Sequence, residues 1–125
     1  EIAYPNLVAK TTLGASMIMT VSNDAWFGDS MAPQQHMQMA RMRAIENAKP
    51  LMRGTNNGIT ALVDYRGNIY QQLEQFTAGE LEGVIRPRQG QTPFALFGSW
   101  PPVIAALLCC AVLILIRKLN RIKKT

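Results

Sequence analysis

Histidine and cysteine are scarce in this sequence, and their scarcity excludes several kinds of site. The only histidine is His36, and the only cysteines, Cys109 and Cys110, are neighbours within an apolar run. There is no CxxC pair and no histidine–cysteine spacing typical of zinc. Adjacent cysteines form only a strained disulfide, and a thiol in apolar surroundings stays un-ionised. We therefore expect no metal and no cofactor, and we interpret the cysteines as small apolar residues.

Acidic residues are absent from the C-terminal end, and this absence accounts for the net charge of +5. Residues 117–125 contain five basic side chains and no acid, whereas residues 1–116 contain eight basic and eight acidic side chains. A neutral body with a short basic tail lacks the extended basic surface that binds a phosphate backbone. We expect no nucleic-acid partner.

Long apolar runs are also absent, with one exception. Residues 103–116 are all apolar, and no charged residue occurs between 94 and 116. Fourteen helical residues cover about 21 Å, which is short of a hydrocarbon core of about 30 Å, but residues 94–116 are long enough to cross it. A buried helix of a soluble domain is the alternative, but the abrupt change to Arg117 and Lys118 favours a membrane span.

The residues flanking this run agree with a span and predict its orientation. Phe97 and Trp100 lie where interfacial aromatics are expected, and Pro101 and Pro102 suit the first turn of a helix. By the positive-inside rule, residues 117–125 form a cytoplasmic tail and residues 1–93 lie on the outer side of the membrane.

The hydrophobic pattern of residues 1–93 predicts a layered α/β domain. We expect a strand within 13–22, a helix from Pro33 to about Ala48, short strands at 51–53 and 59–63, a hairpin over 59–73 that turns at DYRG, and a last short strand at 80–85. The apolar face of the helix is Met37, Ala40, Ala44, Ile45 and Ala48, and the helix must end before Lys49 because Pro50 follows.

So few strands make a thin core for an independent domain. The chain also begins at Glu1 rather than at a methionine, without a signal peptide. We expect it to be about half of a larger α/β domain, and we expect that this half does not fold alone.

The stretch VSNDAWFG, residues 21–28, is the strongest candidate for a site. Asn23 and Asp24 follow a predicted strand, where open α/β sheets collect polar site residues, although such residues also cap loops. Trp26 and Phe27 are aromatics on a loop, which indicates either packing or contact with an apolar ligand. His36 has no nucleophile near it in sequence and receives no catalytic role.

Several stretches resemble one family closely. They are EIAYPN at 1–6, VSNDAWFG at 21–28, QHMQMARMRAIENAKPLMRGTNNGIT at 35–60, DYRGN at 64–68, GQTPF at 90–94 and GSWP at 98–101. The chain resembles the C-terminal part of the apolipoprotein N-acyltransferase family, within the nitrilase (carbon–nitrogen hydrolase) superfamily. The resemblance implies an α/β fold, a partial nitrilase-like αββα sandwich over 1–93 followed by one C-terminal transmembrane helix at 94–116.

The resemblance also implies a reaction and a location. Such enzymes of the bacterial inner membrane take a fatty acyl chain from a phospholipid donor onto a cysteine, and pass it from the thioester to the N-terminal amine of a diacylglyceryl-cysteine lipoprotein. A glutamate base and an oxyanion-stabilising lysine assist the cysteine. Residues 1–93 would be periplasmic, and the upstream remainder of the same protein would be a partner.

Mapped onto this sequence, the family's nucleophile lies two residues before Glu1, and its base and lysine lie further upstream. Glu1 matches the acidic residue after the nucleophile and would support it. Asn23 and Asp24 would contact substrate, and Trp26 and Phe27 would border the acyl entrance. We expect this chain alone to be inactive.

Two other functions remain open. A membrane-tethered nitrilase-type amidase would use the same glutamate–lysine–cysteine chemistry on a small amide. A non-enzymatic single-span protein whose outer domain binds a partner would need no nucleophile at all.

Overall fold

The computed structural model describes residues 2–122, with side chains described as far as residue 119. Its elements are α1 (Pro5–Thr11), β1 (Ile18–Ser22), α2 (Ala32–Asn47), β2 (Leu51–Thr55), β3 (Ala61–Val63), β4 (Ile69–Gln72), α3 (Pro93–Phe97) and α4 (Trp100–Ile122). One short 3₁₀ turn, Ala25–Phe27, lies between β1 and α2.

The four strands form one mixed sheet in the order β1-β2-β3-β4. β1 and β2 are parallel, and helix α2 connects them, as parallel neighbours require. The other two pairings are antiparallel, and the second is the expected hairpin. Asp64 closes its turn by accepting hydrogen bonds from the backbone N–H groups of Arg66 and Asn68. The sheet with its helices is a mixed α/β arrangement, as expected.

Helix α2 forms within a residue of its predicted bounds. Pro33 occupies its first turn, and the helix ends where Ala48 adopts a left-handed conformation with φ of 49° before Lys49 and Pro50. Met37, Ala40 and Ala44 are buried as predicted, but Ile45 is 46% exposed. Ile45 packs over the hairpin turn, where a side chain at Gly67 would clash with it.

The core lies on one side of the sheet, beneath α1 and α2. It is formed by Ile2, Val8, Ile18, Met37, Ala40, Ala44, Leu51, Ala61 and Val63. The alanines of α2 let the helix approach the sheet closely. On the opposite face of β1, Met19 and Val21 are exposed.

Two features differ from the sequence-based expectation. Helix α1 was not predicted, and residues 80–85, expected to be a strand, are irregular. Around that segment, the Lys49 ammonium donates to the carbonyls of Arg88 and Gly90, and the Arg88 N–H donates to Ser16. These contacts hold the chain against the domain without a strand ladder, which a hydrophobic pattern does not reveal.

The C-terminal apolar segment forms a helix that is both long enough and apolar enough to span a membrane. The candidate span is Trp100–Leu119, twenty residues, and none of it is buried against the domain. Twenty helical residues cover about 30 Å, the thickness of a hydrocarbon core. The helix expected over 94–116 is therefore broken at Gly98, whose φ is 60°, and α4 continues past Ile116.

Candidate active site

The loop between β1 and α2 brings a buried carboxylate to the end of the sheet. Asp24 lies two residues after the end of β1, and its side chain has 0% of its surface exposed. Its Oδ2 accepts from Arg53 Nη2 on β2 at 2.8 Å, and the Arg53 side chain is equally buried. Because β1 and β2 are parallel, their C-terminal ends meet at one edge, and this ion pair joins them there.

The second oxygen of Asp24 contacts two further side chains. Ser22 Oγ donates to Oδ1 at 2.6 Å, and His36 Nδ1 lies 3.0 Å from the same oxygen. Ser22 is the last residue of β1, and His36 lies on α2. Asp24 therefore joins both strands to the crossover helix.

The connection between β2 and β3 completes this arrangement. Asn56 Oδ1 accepts from the Asp24 backbone N–H at 3.0 Å, and Asn56 Nδ2 donates to Asn23 Oδ1 at 2.7 Å. Gly58 lies so close that an added Cβ would be 2.1 Å from Asp24 Oδ2. A glycine is needed here because of this close approach and not because of a positive φ.

The ionisation of Asp24 follows from these contacts. Burial alone would raise the pKa of Asp24, but the Ser22 hydrogen bond, the Arg53 charge and the His36 and Arg53 hydrogen bonds outweigh it and hold the pKa below its usual 3.8. Asp24 is thus a carboxylate at neutral pH and accepts from all three side chains.

A cleft of about 550 Å³ opens beside this cluster. Its lining includes Ala3, Ser22, Asn23, Phe27, His36 and Met39. The imidazole of His36 forms part of the wall, and the Phe27 ring meets it edge to face at 6.3 Å between centroids. The cleft has an apolar side and a polar side that rests on the buried Asp24.

The predicted site residues occupy different places. Asn23 and Phe27 line the cleft, whereas Asp24 lies beneath it in the ion pair. Trp26 is 87% exposed, outside the cleft lining. Glu1 lies outside the described residues. The substrate-contacting roles of these residues stay predictions.

Sequence reasoning missed Arg53 and His36. Arg53 has the alternating position of a core-facing strand residue, but a charged side chain is rarely fully buried, so the pattern alone did not indicate an internal arginine. His36 lies twelve residues from Asp24, and only the three-dimensional crossover brings them together. Arg43 and Glu46 are three positions apart on α2, a spacing that allows an ion pair, and Arg43 Nε lies 2.9 Å from Glu46 Oε2. Among residues 2–122, no group of three His, Cys, Asp or Glu residues could hold a metal ion.

Comparisons with a protein-family model and with individual relatives point to the same superfamily. The carbon–nitrogen hydrolase family model matches residues 1–91. Among relatives, apolipoprotein N-acyltransferase of Photobacterium profundum is 42% identical over 128 residues, covering 100% of this chain and 25% of the relative. Its namesake from Shewanella oneidensis is 48% identical over 125 residues, covering 99% and 23%, and that from Vibrio parahaemolyticus is 55% identical over 84 residues, covering 67% and 17%.

This chain spans a quarter or less of the length of those relatives. The family match, by contrast, extends from the first residue to the end of the α/β part, so it includes every element that builds the cleft. The chain belongs to the carbon–nitrogen hydrolase family.

Proposed function

We propose that this chain forms the C-terminal part of a membrane-bound apolipoprotein N-acyltransferase. The complete protein moves a fatty acyl chain from a phospholipid to the N-terminal amine of a diacylglyceryl-cysteine lipoprotein. The names of the relatives and the apolar helix α4 support this proposal.

The observation that carries the proposal is the mixed cleft at the end of β1. Ala3 and Phe27 both line it, so the chain that would carry the nucleophile just before Glu1 leads to the same cavity as the aromatic loop. The cysteine thiolate attacks the phospholipid ester carbonyl and expels the lysophospholipid alkoxide, which takes up a proton. The lipoprotein amine then attacks the thioester and gives up a proton to the glutamate base, which forms the amide and releases the thiolate.

The residues of this chain serve that reaction by positioning. Phe27 and Trp26 contact the acyl chain, and Asn23 contacts the polar end of the substrate. Asp24 acts from beneath the cleft by holding His36 and the loop in place, and Glu1 supports the nucleophile. Cys109 and Cys110 lie in the candidate membrane span and outside the cleft lining, so we do not expect them to replace the nucleophile and we expect the chain alone to be inactive.

The proposed location follows from the helix and the charges. Residues 1–93 lie in the periplasm of a bacterium, α4 spans the inner membrane, and residues 117–125 are cytoplasmic. The cleft then lies on the periplasmic side, the side on which a phospholipid donor and a diacylated lipoprotein are both available.

The upstream remainder of the protein covers the exposed part of the opposite sheet face, which lies at β1. Met19 and Val21 lie there on the edge strand β1, and an apolar edge open to water invites aggregation. A second sheet against this face would complete an αββα sandwich.

Replacing Met19 with lysine should therefore destabilise the full-length protein by about 2 kcal/mol or more, because the charge would be buried. Met31→Lys is a matched control, since the two methionines are 72% and 73% exposed in this structure. Thermal unfolding in detergent measures both. Equal thermal unfolding midpoints for the two variants would contradict the proposal that the upstream remainder of the protein covers this face.

The function itself is tested with the full-length protein. It should transfer an acyl chain from phosphatidylethanolamine to a diacylated lipopeptide, detected by mass spectrometry as one added acyl mass. The same protein with the cysteine before Glu1 replaced by serine is the control. Hydrolysis of a small amide without lipopeptide acylation would instead identify an amidase; the exposed Trp26 favours acyl transfer.

A further inference from the structure

A second concavity, of about 220 Å³, lies between α1 and α3 at the start of α4. Ala9 and Ala95 are its buried lining, and these two small side chains leave the space between the helices open. Phe97 and Trp100 lie at its exposed edge. We call this concavity the α1–α3 seat.

The seat is held in shape by contacts across 93 positions of the chain. Asn6 Nδ2 donates to Ser99 Oγ at 2.9 Å, and the Ser99 backbone N–H donates to Asn6 Oδ1 at 3.1 Å. Gly98 permits this approach, because its φ is 60° and an added Cβ would be 2.7 Å from Asn6 Oδ1. The first turn of α4 is thereby tied to α1.

The charge of the seat has one sign. Lys10, in the last turn of α1, is its cation, and none of the described lining residues is acidic. An ammonium beside exposed aromatic rings, adjoining a helix long enough to cross a bilayer, matches the chemistry of the membrane interface. An anionic head group with attached apolar chains is complementary to both parts.

We propose that the α1–α3 seat binds the phosphate of a membrane phospholipid. Lys10 pairs with the phosphate, and Phe97 and Trp100 contact the glycerol and the first acyl carbons. This lipid is separate from the acyl donor, which occupies the cleft at the end of β1. The inference rests on the membrane placement of α4 proposed above, but not on catalysis.

Bound lipid can be counted directly by native mass spectrometry. The full-length protein is prepared in maltoside micelles doped with an ether-linked phosphatidylglycerol, which cannot serve as an acyl donor. Lys10→Gln should lower the affinity for the seat lipid, obtained from the fraction of lipid-bound protein at increasing lipid content, by about fivefold, the effect expected of one interfacial lysine. Lys10→Arg should retain it, and so should Arg86→Gln, which removes an exposed cation outside the seat.

The competing results are distinct. Undiminished lipid binding in Lys10→Gln overturns the proposal, as does displacement of the lipid by millimolar inorganic phosphate, which would identify free phosphate as the ligand. Lys10 is exposed, so its replacement should leave the thermal midpoint of unfolding unchanged. An unchanged midpoint shows that the variant is folded. If the protein bound the lipid but never acylated a lipopeptide, the proposed function would be refuted. The proposal that the α1–α3 seat binds a phospholipid would still hold.

Discussion

Replacing Asp24 with asparagine should lower the free energy of unfolding by about 3–5 kcal/mol. The substitution keeps the shape of the side chain but removes its charge, so the Arg53 guanidinium stays buried without a counter-charge. Within the described residues, Arg53 Nε and Nη1 already have no hydrogen-bond partner, so the ion pair with Asp24 carries most of the compensation. Urea unfolding of the full-length protein in detergent measures the loss.

Two further variants separate charge from packing. Asp29→Asn changes an exposed aspartate of the same loop and should alter stability by less than about 0.5 kcal/mol. Arg53→Met combined with Asp24→Asn should be less damaging than the sum of the single changes, because neither buried charge is then left unpaired. If Asp24→Asn behaved like Asp29→Asn, the buried ion pair would not organise this edge of the sheet.

The helices and strands that depend on residues close together in the chain could be predicted from the sequence. Helix α2 and the β3–β4 hairpin follow from proline positions, a helical apolar face and the DYRG turn, all of which act within a few residues. Residues 80–85 are the exception, because they lie beside the edge strand β4 without forming a strand of their own. This irregular segment is held by a side chain of β4, because the Tyr70 hydroxyl donates to the Val84 carbonyl at 3.2 Å, a contact across 14 positions.

The site was predictable only in part, for the same reason. The position of VSNDAWFG after a strand indicated where polar groups would gather, but it could not assign Asp24 to the interior and Asn23 to the cleft. That division depends on Arg53 and on Gly58, which belong to β2 and to the connection that follows it. Contacts between parallel strands form across a helix of sixteen residues and leave no local signal.

Replacing Trp26 with alanine should reduce acyl transfer by the full-length protein about tenfold or more while changing stability by less than about 0.5 kcal/mol. Trp26 is 87% exposed in this structure, so the folded domain gains little from it, and an aromatic ring of this size is costly to leave in water without a ligand. Its neighbour Phe27 lines the cleft, and under the proposed function Trp26 borders the entrance through which an acyl chain would pass.

The rate of lipopeptide acylation and the thermal midpoint must be measured on the same preparation. Val84→Ala is a suitable control, because Val84 is an apolar side chain 81% exposed and far along the chain from the loop. It should change neither quantity. If Trp26→Ala lost stability as well as activity, the upstream remainder of the protein would cover the ring. VSNDAWFG would then be a packing element. Lost activity at an unchanged midpoint would instead place the acyl chain on Trp26, because the ring then has no partner except the substrate.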